Sequence, residues 1–145
     1  MKQFRILSML VISFFLFSCS GKAQNKAVEN QVKKNTIEVF DFHTTNRCTT
    51  CKSIEANTKY TLETYFAKEL KSGKVTFKVI NIDLKENEKL AEKFQASGTS
   101  LFLNVIGEKK EKHIDLTNFA FTYGKKKEDF SEKLKVTIEK ELANI

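Results

Sequence analysis

The chain contains no proline and no tryptophan, and it has only 5 glycines and 3 cysteines among its 145 residues. The absence of proline excludes proline-rich linkers, polyproline II ligands and collagen. Three cysteines are too few for a miniprotein held together by a disulfide framework, and their odd number leaves at least one to be explained separately. A hydrophobic fraction of 41% is too high for a disordered chain, and the length fits one domain.

The first 18 residues have the pattern of an export signal. Two positive residues, Lys2 and Arg5, precede an apolar run at residues 6–17, which is too short to span a bilayer of about 30 Å as a helix. The run ends at a serine and Cys19, an arrangement that resembles the lipobox of bacterial lipoproteins. The resemblance implies cleavage before Cys19 and attachment of the new N-terminus to a membrane through acyl chains. A secretory peptide without lipid and a buried N-terminal helix are the alternatives.

The segment that follows Cys19 is polar and predicts a flexible tether over residues 19–35, in front of a domain at residues 36–145. A lipid anchor implies a bacterial cell envelope, with the domain facing the periplasm, where disulfides persist. The serine after Cys19 is consistent with transport to the outer membrane. The net charge of +7 is spread out, with no stripe of arginine and aromatic residues, so we expect no nucleic-acid partner.

The first part of the domain alternates between strand and helix patterns. Residues 37–42 are β-branched and aromatic and predict a strand, whereas residues 48–70 have apolar side chains at helical spacing. Residues 75–84 alternate as a second strand, and a helical crossover makes the two strands parallel neighbours. Gly73 is expected to end the helix. The inward face of the helix is predicted to carry Ile54, Thr58, Leu62, Tyr65, Phe66 and Leu70.

The second part of the domain predicts a hairpin between helices. We expect a short helix at residues 87–94, strands at 101–106 and 111–116, a short helix or aromatic loop at 117–123, and a last helix at 128–142. The last helix has a stripe of apolar residues at every fourth position. This order of elements predicts the α/β class, with a central mixed sheet of four strands flanked by helices.

Cys48 and Cys51 form a C-x-x-C motif where a strand and a polar turn lead into a helix. The unpaired N–H groups and the positive dipole end at a helix N-terminus stabilise a thiolate, and Arg47 adds positive charge. The spacing lets a disulfide close within one helical turn. Cys48, at the mouth of the helix, is predicted to be the attacking thiolate, and Cys51, one turn inside and more buried, the resolving thiol.

Two other interpretations of the motif remain open: a structural disulfide and part of a metal site. A second C-x-x-C is missing, which excludes a four-cysteine zinc site, and Lys52 stands where covalent haem attachment needs a histidine. His43 together with Cys48 and Cys51 would supply three ligands to copper or zinc. His113 falls in the last predicted strand, at the edge of the sheet, and is expected to be a surface residue.

Residues 36–142 resemble the thioredoxin fold. The likeness lies in the strand and turn before the C-x-x-C motif, in the Asn-x-Asp sequence of residues 81–83, and in the glycine-containing hairpin at 101–108. Within that superfamily, the stretches HTTNRCTTC and GTSLFLNV look most similar to the ArsF-type group of envelope proteins, described as a nitrophenyl compound nitroreductase subunit. The resemblance implies a thiol–disulfide oxidoreductase that needs no cofactor beyond its own dithiol. Its partner would be a protein thiol or disulfide, and we expect a monomer.

Asp41 is a further candidate site residue through this resemblance. It matches the position of the buried acid that, in thioredoxins, helps to deprotonate the resolving cysteine. The alternative is an ordinary strand residue that points to solvent or to a turn. If Asp41 points inward toward Cys51, burial should raise its pKa.

The chain departs from the thioredoxin pattern around the cysteines. Two threonines replace the usual Gly-Pro between them, and Arg47 replaces the usual tryptophan before them. Thr99 or Ser100 stands where the family has a cis-proline before the third strand. A cis bond before a residue other than proline costs about 2.5–4 kcal/mol, so we expect a trans bond there. The loop that usually binds an extended peptide is therefore altered.

These observations predict a membrane-anchored envelope thiol–disulfide oxidoreductase that uses Cys48 and Cys51. One alternative is a copper- or zinc-handling module that uses the same cysteines. The other is a thioredoxin-like subunit of an envelope complex that has no catalytic role.

Overall fold

The computed structural model describes residues 35–145. The predicted signal peptide, Cys19 and nearly all of the predicted tether lie outside the described residues, so these remain predictions. Among the helices of residues 35–145, none combines the length and the apolar character needed to cross a bilayer.

One mixed sheet forms the centre of the domain. Its strands are β1 (Thr36–His43), β2 (Val75–Asn81), β3 (Ser100–Ile106) and β4 (Glu111–Asp115). They lie in the order β2-β1-β3-β4, with β2 parallel to β1, β3 antiparallel to β1, and β4 antiparallel to β3. The predicted α/β class and four-stranded mixed sheet are therefore confirmed. The strand order and directions are those of a thioredoxin-like fold.

The helices of the described chain follow the predicted order with one difference. They are α1 (Thr49–Tyr65), α2 (Ala67–Ser72), α3 (Glu88–Phe94), α4 (Thr117–Tyr123) and α5 (Lys127–Leu142), with a 3₁₀ turn at Lys85–Asn87 before α3. The helix predicted over residues 48–70 is two helices, because Phe66 leaves helical geometry with φ −126° and ψ 27°. Gly73 ends α2 in the left-handed region at φ 74°, as predicted.

The break at Phe66 also decides which aromatic ring is buried. Helical spacing from Leu62 places residues 65 and 66 on the same face, and both were expected inside. Phe66 is buried, whereas Tyr65 is 44% exposed, so the prediction for Tyr65 is wrong. The second strand is also shorter than predicted, because a turn from the Asn81 carbonyl to the Leu84 amide follows it directly.

The two faces of the sheet carry different cores. Successive side chains of β1 point to opposite faces, so Ile37 and Val39 join the aliphatic core under α1, α4 and α5. The predicted stripe of α5 lies in that core, with Phe130, Leu134 and Ile138 fully buried. The opposite face holds an aromatic cluster covered by α3, which consists of Phe40, Phe42, Phe94 and Phe102 with Ile80.

Gly124 lets α4 approach the first half of α1 closely. A Cβ atom at Gly124 would lie 2.6 Å from the Ala120 carbonyl oxygen and 3.0 Å from the Ile54 side chain. The buried Asn57 amide donates a hydrogen bond of 2.9 Å to the Gly124 carbonyl. These contacts hold the half of α1 that carries the C-x-x-C motif against the rest of the domain.

Candidate functional site

The loop between β1 and α1, which carries the C-x-x-C motif, is fastened to the end of β2. The Thr45 amide donates to Asp83 Oδ2 at 2.7 Å, and Asn81 Nδ2 donates to Thr45 Oγ1 at 3.1 Å. The Ile82 amide donates to the His43 carbonyl at 2.8 Å. The hydrogen bonds from Thr45 lower the pKa of Asp83. The Asn-x-Asp sequence thus positions this loop, a role that the sequence alone did not assign.

Cys48 and Cys51 are joined by a disulfide, with their Cα atoms 5.1 Å apart. Cys48 is the N-cap of α1, and its Sγ accepts a hydrogen bond of 3.1 Å from the Cys51 amide. Cys48 is exposed, whereas Cys51 is only 6% exposed. One cysteine is therefore exposed at the N-terminus of the helix and the other is buried one turn inside, which is the arrangement that the spacing predicted.

Asp41 is fully buried in β1, on the face of the sheet that α1 covers. Its Oδ2 lies 3.5 Å from Arg47 Nη2, and its Oδ1 has no hydrogen-bond partner. Burial raises the pKa of Asp41 to about 7, although the charge of Arg47 lowers it, and the charge of Glu55 raises it further. The alternative that Asp41 points to solvent is therefore wrong.

Arg47 extends along the first two turns of α1. Its Nη1 donates a short hydrogen bond to Glu55 Oε2, and its Nη2 donates to the Cys51 carbonyl at 3.4 Å and to Asp41 at 3.5 Å. The guanidinium is thus engaged by two carboxylates and a helix carbonyl. Glu55 was not selected from the sequence. Its position one helical turn after Cys51 is the signal that would have indicated it.

The loop before β3 lies beside the C-terminal end of β1, because the two strands are antiparallel neighbours. Ser100, the first residue of β3, pairs with Phe42, and its Oγ donates to the Gly98 carbonyl at 3.1 Å. Thr99, just before it, is half-buried. Residues 35–145 contain no cis peptide bond, so the expected trans bonds at Thr99 and Ser100 are confirmed.

The alternative of a metal site depends on a cluster of ligand side chains. No group of three or more His, Cys, Asp or Glu side chains within residues 35–145 is placed to hold a metal ion. His43 Nδ1 lies 2.8 Å from the Thr44 carbonyl oxygen. His113 lies on the edge strand β4, and its exposed ring stacks on Phe94 with the centroids 4.2 Å apart, so the prediction of a surface residue is confirmed.

No family model matches the chain, and no curated protein matches it. The solved structures that are similar to part of it include a thioredoxin and a malarial protein. Thioredoxin from Fasciola hepatica is 24% identical over 56% of this chain and 68% of that chain, with a TM-score of 0.38. A malarial protein is 19% identical over 61% of this chain and 94% of that chain, with a TM-score of 0.39. The thioredoxin-like fold is assigned from the order and direction of the strands.

Proposed function

We propose that the chain is a thiol–disulfide oxidoreductase whose reactive groups are Cys48 and Cys51. The observation that carries this proposal is the unequal exposure of the two cysteines that share one disulfide at the start of α1. A partner disulfide has access to Cys48 but not to the buried Cys51. The first sulfur is therefore suited to form a mixed disulfide, and the second to resolve it.

The start of α1 favours a thiolate at Cys48 in the reduced chain. The Cys51 amide already donates to Cys48 Sγ at 3.1 Å, and the helix dipole adds positive potential at the same point. The first turn of α1 contains no acidic residue that would oppose a negative charge. Both effects lower a thiol pKa and increase the fraction of nucleophile.

The reaction proceeds by two displacements at sulfur. The Cys48 thiolate attacks one sulfur of the partner disulfide, so that a mixed disulfide forms and the other partner sulfur leaves as a thiolate. Cys51 then loses its proton and attacks Cys48 Sγ, and the second partner sulfur leaves as a thiolate. Two electrons pass from the dithiol to the partner, and both leaving thiolates take protons from water. The reverse sequence oxidises a partner dithiol, and the reduction potentials decide the direction.

Asp41 is suited to accept the proton of Cys51 in this scheme. It is fully buried on the face of the sheet that α1 covers, and its Oδ1 has no hydrogen-bond partner. A carboxyl group with a pKa of about 7 is an effective base near neutral pH. No cofactor beyond the dithiol is required.

The test is capture of partners in cells by the Cys51→Ala variant of the full chain. The remaining Cys48 thiol is expected to stay linked to its partners, so that bands sensitive to reductant accumulate on non-reducing gels. Cys48→Ala is the matched control, because its remaining thiol is buried and should capture none. Capture of nothing by Cys51→Ala would leave a structural disulfide in a non-catalytic subunit. A reduction potential of the Cys48–Cys51 disulfide below about −300 mV would also indicate a structural disulfide.

We further propose that the chain is a monomer anchored by lipid at Cys19 and faces the periplasm of a bacterial envelope. The apolar run at residues 6–17 that ends before Cys19 supports this location, as does the likeness of HTTNRCTTC to the ArsF-type envelope proteins. We expect Cys19→Ser to abolish incorporation of a labelled fatty acid and to move the chain out of the membrane fraction. Ser20→Ala is the control and should keep both. Equal labelling of the two variants would refute the anchor.

A further inference from the structure

Three charged side chains meet beside the first turns of α1, and we call them the Arg47 network: Asp41 from β1, Arg47 from the loop, and Glu55 from α1. The Asp41 side chain is 0% exposed, that of Arg47 is 16% exposed, and that of Glu55 is 31% exposed. The network therefore runs from the interior of the sheet to the surface of the helix.

The guanidinium of Arg47 is shared unequally between the two carboxylates. Its contact with Glu55 is shorter than its 3.5 Å contact with Asp41. Asp41 also keeps one oxygen without a hydrogen bond. The guanidinium therefore makes its closer contact with Glu55, and burial still raises the pKa of Asp41 although an arginine lies beside it.

The strand residues beside Asp41 in the sheet register are apolar, and so are the buried side chains of α5 in the core on the same face of the sheet. Its register partners are Val79 on β2 and Leu101 on β3. The side chains of α5 that pack against this face of the sheet are Phe130, Leu134 and Ile138. Within residues 35–145, the charges that act on Asp41 are those of Arg47 and Glu55. A substitution at either residue should therefore change the pKa of Asp41 directly.

The network also touches the resolving cysteine. The Nη2 atom of Arg47 that faces Asp41 donates to the Cys51 carbonyl at 3.4 Å. One guanidinium thus links the backbone of Cys51 with the buried acid.

We propose that Arg47 and Glu55 are opposed positioning residues, in which Arg47 favours a charged Asp41 and Glu55 draws the guanidinium away from it. Together they determine whether Asp41 is charged when Cys51 resolves the mixed disulfide. This inference rests on the proposed function, because it concerns the resolving step of that reaction.

The direct test follows the Asp41 carboxyl carbon by NMR in the oxidised chain, labelled with ¹³C in its aspartates, as the pH is changed. Arg47→Gln should move the titration midpoint of Asp41 to higher pH by about one unit or more. Glu55→Gln should move it to lower pH, because the guanidinium is then free to pair with Asp41. A general loosening of the site would expose Asp41 and lower the midpoint in both variants, so shifts in opposite directions identify the network.

Two further variants sharpen this test. Arg47→Lys keeps the charge and should place the midpoint between those of the wild type and Arg47→Gln. Glu63→Gln removes an exposed carboxylate of α1 that pairs with Lys59, and it should leave the midpoint unchanged. Midpoints that shift together, or not at all, in Arg47→Gln and Glu55→Gln would overturn the inference.

The kinetic test uses the reduced chain and an excess of an aryl disulfide that releases a coloured thiolate. Attack by Cys48 releases the first thiolate, and resolution by Cys51 releases the second. The pH midpoint of the second phase should rise in Arg47→Gln and fall in Glu55→Gln, parallel to the NMR midpoints. An unchanged second phase would overturn the link to resolution. Failure of the oxidoreductase proposal is separate: Cys51→Ala would then capture no partner, while the NMR midpoints would still shift.

Discussion

A carboxyl group enclosed by a sheet and a helix keeps its proton to higher pH than the same group in water, because burial penalises the charged form. Asp41 is such a group, with a pKa of about 7 against an ordinary value of 3.8. Between these two pH values the folded chain binds more protons than the unfolded chain. The free energy of unfolding therefore decreases as the pH rises through this range.

The Asp41→Asn substitution should remove this pH dependence. In the wild-type oxidised chain, we expect the free energy of unfolding to fall by up to about 4 kcal/mol between pH 4 and pH 8. The variant should show a flat profile and be the more stable of the two at pH 8. Urea unfolding across this pH range measures the difference. Asp129→Asn, on the exposed first turn of α5, is the control, and parallel profiles for wild type and Asp41→Asn would contradict the burial argument.

The candidate site could be predicted from the sequence only where local spacing determines it. The positions of Cys48 and Cys51 at the start of a helix follow from three residues of separation and the helical pattern after them. The contact of Arg47 with Asp41 could not be predicted, because a residue six positions before it in β1 comes close only when the loop and α1 pack against the sheet.

At the scale of elements, α3 is a short helix that depends on the side chain it buries. A helix of seven residues is not stable alone in water, so its packing must hold it. The Phe94 ring lies 5.0 Å from that of Phe40, 5.6 Å from that of Phe42 and 5.4 Å from that of Phe102, measured between centroids. Phe94 is thus the contact between α3 and the aromatic cluster.

Replacement of Phe94 by alanine should therefore destabilise the domain strongly. We expect a loss of about 3–5 kcal/mol in the free energy of unfolding, measured with urea, because the substitution leaves a cavity among three rings. Phe121→Ala is the matched control, since Phe121 also lies on a seven-residue helix but is 45% exposed. Its effect should stay within about 0.5 kcal/mol. Equal losses in the two variants would show that α3 does not depend on this ring.

At the scale of the whole molecule, the order of the strands decides which part of the domain is protected most. β1 and β3 are the two central strands, and nearly all of their residues are buried. β4 is an edge strand whose residues are mostly exposed. Local opening of β4 breaks few buried contacts, whereas β1 and β3 contribute buried side chains to both faces.

Hydrogen exchange of the oxidised chain should follow this order. Amides of β1 and β3 are expected to exchange most slowly, close to the rate of global unfolding, and amides of β4 to exchange at least about tenfold faster. Mass spectrometry of peptides from each strand measures the rates, and peptides from the buried stripe of α5 serve as an internal reference. Slower exchange in β4 than in β3 would contradict the strand order.

The sequence by itself determined the elements of the domain, because hydrophobic spacing and helix-ending residues act over a few neighbouring positions. The strands, the start of α1 at the cysteines, the end of α2 at Gly73 and the buried stripe of α5 all belong to this class. Only the tertiary structure decided the break at Phe66, the buried state of Asp41 and the two carboxylates that share Arg47. These features depend on desolvation and on contacts between residues far apart in the chain, such as the hydrogen bond from the Thr45 amide to Asp83. Both arise only when the sheet and its helices pack together.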